Sequence, residues 1–187
     1  MVTGIIALLA GLLLPALGRA KAMGKQSVCL NNLRGVGLAA FNYADDYRYY
    51  PPAWQASEVR WMDSVKPYLS KQSGVYRCPA DPLQQAVTWD PEIVLSYGIN
   101  CFNFHGDPAS CFWYGVRADA VIRPSGTILF ADCTPGKYYC GGGGTFSEPV
   151  VDVNYRHAGV TFCAAFGDGH VEGRRATIRR DWDVASP

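Results

Sequence analysis

The stretch MVTGIIALLAGLLLPAL, residues 1–17, carries no charged side chain and a single hydroxyl, and how it is kept from water organises the rest of the chain. Basic residues arrive only at Arg19, Lys21 and Lys25, so an apolar segment passes abruptly into a polar one. Three readings compete for it. A secretory signal wants a positively charged leading region, which is missing beyond the terminal amine, although Ala16-Leu17-Gly18 can pass as a cleavage site. A membrane-spanning helix must cover roughly 30 Å of hydrocarbon, and this run sits at the bottom of the required length. The third reading is a helix buried among identical neighbours in an assembly.

Beyond Gly18 the helical pattern runs on without a break until about Tyr47. Cys29, Leu33, Val36, Ala40 and Tyr43, flanked by Leu30 and Phe41, follow the three-and-four spacing of a helix lying against a core on one side. Gly35 and Gly37 each cost about 1 kcal/mol relative to Ala in a helix, but small residues permit close packing on a sheet. Pro15 removes a backbone donor inside the apolar half, so a kink or a melted turn is expected there. Pro51-Pro52 ends the element. The expected organisation is a long helix over residues 1–50, apolar over 1–17 and amphipathic over 18–50, followed by a globular head over 51–187.

In the head, EVRWMDSVKPYL (58–69) reads as a short helix flattened by Pro67, and Val75 to Cys78 as a strand ended by Pro79. Leu95 to Ile99 and Thr127 to Ala131 read as strands. Val160 to Phe166 gives the strongest strand signal and turns at Gly167-Asp168-Gly169 into His170-Val171-Glu172 as a hairpin. Gly141 to Gly144 reads as a flexible surface loop, and the ending RRATIRRDWDVASP as a basic patch with an exposed Trp182. A helix first and antiparallel strands later is the order of an α+β fold.

The 187 residues suit one domain with an appendage, and a net charge of +1 with pI near 7.6 argues against a nucleic-acid footprint or a polybasic membrane patch. Charged residues are only 18% and aromatics 13%, the balance of a chain with large contact surfaces. The seven cysteines form no CxxC pair and no CxxCH site, which removes the zinc-ribbon, thioredoxin-like and cytochrome readings. Disulfides formed in an oxidising compartment are the remaining reading. Cys101 with Cys111 and Cys133 with Cys140 each bracket a short polar, Gly- and Pro-containing segment that is cheap to close. Cys29 with Cys78 would tie the helix to the head, leaving Cys163 as a buried thiol in VTFCAAF. The competing reading makes several of them small core residues.

The run LLLPALGRAKAMGKQSVCLNNLRGVGLAAFNYADDYRYYPP (12–52) resembles the N-terminal region of bacterial prepilin-type proteins, in the type IV pilin-like group related to pseudopilin G. NYRHAGVTFCAAFGDGHVEG (154–173) resembles the C-terminal signature of that group, a His followed nine residues later by Asp-Gly. Here ten residues separate His157 from Asp168-Gly169. VYRCPADP (75–82), LSYGIN (95–100) and RPSGTILFADC (123–133) resemble its middle segments. One departure matters: relatives carry a Glu near the mature start that neutralises a neighbour's amine, and this chain has no Glu before Glu58. Either the true start lies upstream of Met1, or the subunit assembles without that ion pair.

The resemblance implies a pilin-like head and a structural subunit, with identical subunits in a helical homopolymer as partners and no nucleic acid required. Ile5, Ile6, Leu8, Leu9, Leu12, Leu13, Leu14 and Leu17 would form the filament core, with a kink at Pro15. Before assembly the subunit would sit in the inner membrane and meet the pilus or secretion assembly machinery; afterwards it would be part of an extracellular, cell-surface filament. A minor pseudopilin of a type II secretion system is the runner-up. From another class comes a membrane-anchored domain presenting Phe112-Trp113-Tyr114 and Tyr138-Tyr139 to a carbohydrate. His157, Asp168 and Gly169 are expected to form a signature turn, with His157 bonding the turn around Asp168. No HExxH, GxSxG, P-loop or GxGxxG occurs, so neither catalysis nor a cofactor is expected. Pseudopilins related to the group often bind calcium, for which Asp132, Asp152 and Asp168 are the available oxygen ligands.

Overall fold

The computed structural model describes residues 2–55, 58–69, 73–106, 111–141, 150 and 152–185. Its first element, α1, spans Val2–Tyr47 as one helix of 46 residues. It runs through Pro15 as an uninterrupted helix, so the melted turn expected there does not form. Proline leaves the carbonyl four residues earlier without its donor; that residue is Gly11, which is exposed, so water can satisfy the oxygen.

After the chain leaves α1, α2 (Trp61–Val65) continues into a 3-10 turn at Lys66–Tyr68, as the proline at position 67 dictates. The expected strand at Val75 to Cys78 is instead a 3-10 turn over Ser73–Tyr76 followed by irregular chain. β1 (Ala86–Val87) and β2 (Asp90–Val94) form a small antiparallel ribbon. The main sheet contains β3 (Tyr97–Asn100), β4 (Ile128–Asp132), β5 (Tyr139–Cys140), β6 (Phe162–Phe166) and β7 (Val171–Arg174), in the order β5-β3-β4-β6-β7. All its pairings are antiparallel except that of the short edge strand β5 with β3. The fold is therefore α+β, a long N-terminal helix laid on a small sheet.

The sheet is buried on both faces, which is why β4 and β6 read as continuous apolar runs rather than alternating ones. Along β6, Cys163 and Ala165 face the core shared with Cys29, Leu33, Val36 and Ala40 of α1, while Phe162, Ala164 and Phe166 face the opposite layer with Ile128 and Trp182. An irregularity between Ile128 and Phe130 puts both Leu129 and Phe130 on the helix side. Small residues bring α1 close: a methyl on Gly37 would lie 3.5 Å from Cβ of Ala165.

Trp182, expected to be exposed, is fully buried, with its indole N–H donating to Thr177 Oγ1 at 2.6 Å. The C-terminal tail folds back over the outer face of the sheet, and Asn100 Nδ2 holds it by donating to the carbonyl of Trp182 at 2.8 Å. Of the expected Gly141 to Gly144 loop only Gly141 lies among the described residues, and it is buried.

Candidate functional site

Two features stand out, one at the exposed end of α1 and one beneath its packed half. No described residue of α1 before Cys29 is buried. Ile6, Leu9, Leu12, Leu13, Leu14 and Leu17 are between 54% and 70% exposed. The side chains of Ile5 and Leu8 lie outside the described residues. Large apolar groups continue on the outward face where α1 packs on the head, at Met23, Val28, Leu38 and Phe41. The helix is thus apolar on both sides, an arrangement that water alone does not reward. No helix among the described residues is long and apolar enough to cross a membrane.

The second feature is a buried polar cluster. Cys29 arrives on α1, and Cys78 on the irregular chain after the Ser73–Tyr76 turn, held to α1 by the Asn32 side chain donating to the Arg77 carbonyl at 2.8 Å. Asp132 ends β4. His157 precedes β6 in a tight turn, exchanging backbone hydrogen bonds with Thr161 at 3.0 Å in each direction, with Gly159 at φ +72 supplying the left-handed position. Their potential ligand atoms all lie within 4.8 Å of one another. His157 Nε2 is 3.0 Å from Asp132 Oδ2 and 3.6 Å from Cys78 Sγ. Cys29 Sγ is 3.4 Å from Asp132 Oδ1.

Around these four sits a second layer of polar groups. The Cys163 N–H donates to Asp132 Oδ2 at 2.7 Å, and the Tyr97 hydroxyl to Cys29 Sγ at 3.3 Å. The Ala80 N–H donates to Cys78 Sγ at 3.4 Å. Arg156, itself buried, reaches Asp81 Oδ2 at 3.0 Å and Asp132 Oδ1 at 3.6 Å, and donates to the Cys133 carbonyl.

Burial pulls the His157 imidazole towards neutrality, but its hydrogen bonds to Asp132 and Cys78 outweigh this and raise its pKa to about 9. Burial and a hydrogen bond with Cys163 drive the Cys29 thiol far up, and the contact with Cys29, together with burial, does the same to Cys78. Without another cation both sulfurs are therefore thiols. His157 Nδ1 is buried without a hydrogen-bond partner among the described residues.

Several expectations are corrected by this geometry. His157 does not bond the turn around Asp168; it turns inward to Asp132. Asp168 pairs with His170, and Gly169 adopts φ +87 in the turn between β6 and β7. The proposed calcium ligands do not converge among the described residues: Asp132 faces the buried cluster, Asp152 pairs with Lys137 and Asp168 with His170. All seven cysteines are free thiols. None of the expected disulfides is closed, although the pairings do bring neighbours together. Cys29 lies beside Cys78, Cys133 beside Cys140, and the Cys111 thiol donates to the Cys101 carbonyl at 3.5 Å. The aromatic runs divide, since Phe112 is buried against Tyr50 while Trp113 packs edge-on to Tyr139 and only Tyr114 is well exposed.

Sequence reasoning did not assemble the buried cluster, because its members are scattered from residue 29 to residue 157. A signal was present nonetheless. Motifs that carried the resemblance contribute to it: CLNNL supplies Cys29, VYRCPADP supplies Cys78 and Asp81, LSYGIN supplies Tyr97, RPSGTILFADC supplies Asp132, and NYRH supplies Arg156 and His157.

Among protein families, the model described as SBP_bac_10, protein of unknown function (DUF1559), matches residues 19–75, less than a third of the chain. That stretch covers the packed half of α1, α2 and the approach to Cys78. Neither the curated proteins nor the solved structures contain a match. The DUF1559 match and the long helix on its sheet agree with a pilin-like surface protein at that level of description.

Proposed function

We propose that the chain is a pilin-like structural subunit that polymerises through the apolar part of α1 into an extracellular filament, with the heads forming its outer surface. The observation that carries this reading is the row of large apolar side chains Ile6, Leu9, Leu12, Leu13, Leu14 and Leu17, exposed on a helix that extends beyond the head. Identical helices side by side bury such surface at about 25 cal/mol per Å² of apolar area. The outward Leu38 and Phe41 extend the contact to neighbouring heads. Contacts of this head-to-tail kind do not close on themselves, so they propagate as a helix.

Electron microscopy of the purified full chain, transferred from detergent into buffer, tests the reading. Long filaments of uniform diameter are expected. A monodisperse monomer that never polymerises at any concentration would overturn it.

A further inference from the structure

The buried cluster has no part in the assembly proposed above, and its chemistry is unusual for a structural core. We infer that Cys29, Cys78, Asp132 and His157 form a tetrahedral site for a zinc-class divalent cation, which pins α1 to the head. The argument begins with distances. Zinc binds sulfur at about 2.3 Å, imidazole nitrogen at about 2.0–2.1 Å and carboxylate oxygen at about 2.0–2.2 Å. Tetrahedral angles then separate sulfur from nitrogen or oxygen by ~3.6 Å, and nitrogen from oxygen by ~3.4 Å. In the protein Cys78 Sγ to His157 Nε2 is 3.6 Å, Cys29 Sγ to the two Asp132 oxygens is 3.4 and 3.7 Å, and His157 Nε2 to Asp132 Oδ2 is 3.0 Å. Three pairs thus stand near the spacing of a coordination shell, and all four ligand atoms, from four separate stretches, lie within 4.8 Å of one another.

The surroundings give an independent indication. The Tyr97 hydroxyl and the Ala80 N–H both donate to the cluster's sulfurs, at 3.3 and 3.4 Å. Donors aimed at sulfur favour the thiolate, the form a metal requires, and such outer contacts orient ligands in metal sites. Asp132 is likewise held by the Cys163 N–H. Two thiolates and a carboxylate around a dication leave one net negative charge; Arg156, 3.6 Å from Asp132 but shared with Asp81 at 3.0 Å, offsets it in part. The donor set decides the kind of metal: two soft sulfurs and an imidazole suit zinc or cobalt and are wrong for calcium or magnesium. Binding is proton exchange without redox change: the cation enters, each thiol loses its proton, and the imidazolium releases the proton on Nε2.

The site joins α1 to three separate parts of the head, so metal loading would fix the helix against the sheet. The competing chemistry is a Cys29–Cys78 disulfide, which would remove both sulfur ligands.

Cobalt titration of the full chain in detergent, reduced and stripped with chelator, separates the two. Saturation at one equivalent is expected, with a thiolate charge-transfer band and the intense visible bands of tetrahedral cobalt, both abolished by one equivalent of zinc. Cys78→Ser should lose part of the charge-transfer band and weaken binding at least tenfold, and Tyr97→Phe should weaken it about tenfold through the lost outer contact. Cys111→Ser, which removes a buried sulfur outside the set whose thiol donates to the Cys101 carbonyl, should keep the stoichiometry and spectrum. Failure of the folded, reduced wild type to take up one equivalent would overturn the assignment. So would loss of the metal in Cys111→Ser, or freshly purified protein free of metal in which mass spectrometry finds Cys29 bonded to Cys78.

Discussion

Replacing Leu13 by Glu tests the assembly directly, because in the isolated subunit this side chain touches no part of the head. Leu13 is 66% exposed, and the next buried residue of α1 after it is Cys29, about 24 Å further along the axis at 1.5 Å per residue. Glu is nearly as good a helix former as Leu, so α1 itself is unaffected. In a filament the change acts twice. Full burial of a leucine is worth about 1.5–3 kcal/mol, and some two-thirds of that remains to be gained on assembly, so about 1–2 kcal/mol is lost. Placing a carboxylate among apolar helices, even after it takes up a proton, costs about 2–3 kcal/mol more. A total near 4 kcal/mol corresponds to roughly a thousandfold rise in the critical concentration. Sedimentation across a concentration series, read together with negative-stain micrographs, gives that quantity. Leu13→Met, which keeps the apolar volume, should polymerise as the wild type does. Filaments of Leu13→Glu at the wild-type critical concentration would refute the reasoning, as would a lowered melting temperature of the head.

Two further outcomes probe the head. Arg156→Met removes the buried partner of Asp81 and Asp132, and should cost about 3 kcal/mol, lowering the melting temperature by roughly 6–12 °C for a chain of this size. Arg117→Met breaks an exposed pair with Asp119 and should shift it by a degree or two at most; equal shifts for the two variants would contradict the assigned burial. At Gly98 an added Cβ would meet the Tyr139 carbonyl carbon at 2.7 Å and Cys133 Sγ at 2.9 Å, so Gly98→Ala should cost about 1–3 kcal/mol in denaturant unfolding. An unchanged midpoint there would mean that the edge strand β5 yields without cost.

What the residues determined by themselves is local. Apolar spacing from Cys29 to Tyr43 and the stop at Pro51-Pro52 set the extent of α1, because helix periodicity and proline's missing donor act within a few residues. The turn at Gly167 to Gly169 placed the last hairpin for the same reason. Pro67 likewise shortened α2 into a 3-10 turn.

What only the tertiary structure decided is everything that joins distant stretches. Trp182 reads as exposed beside Arg179 and Arg180, yet the tail folds over the sheet's outer face and buries it against Phe102. The cysteines read as disulfide partners by their spacing along the chain. In the fold Cys29 and Cys78 meet the carboxylate of Asp132, the imidazole of His157 and the guanidinium of Arg156, which all lie far from them along the chain. Asp132, a candidate calcium ligand by composition, became the centre of a buried cluster because β4 ends beneath α1. The apolar stretch at residues 1–17 sits at the other extreme: its chemistry is plain in the sequence, and within one subunit its described side chains stay exposed, since the helix there has no second surface to pack against.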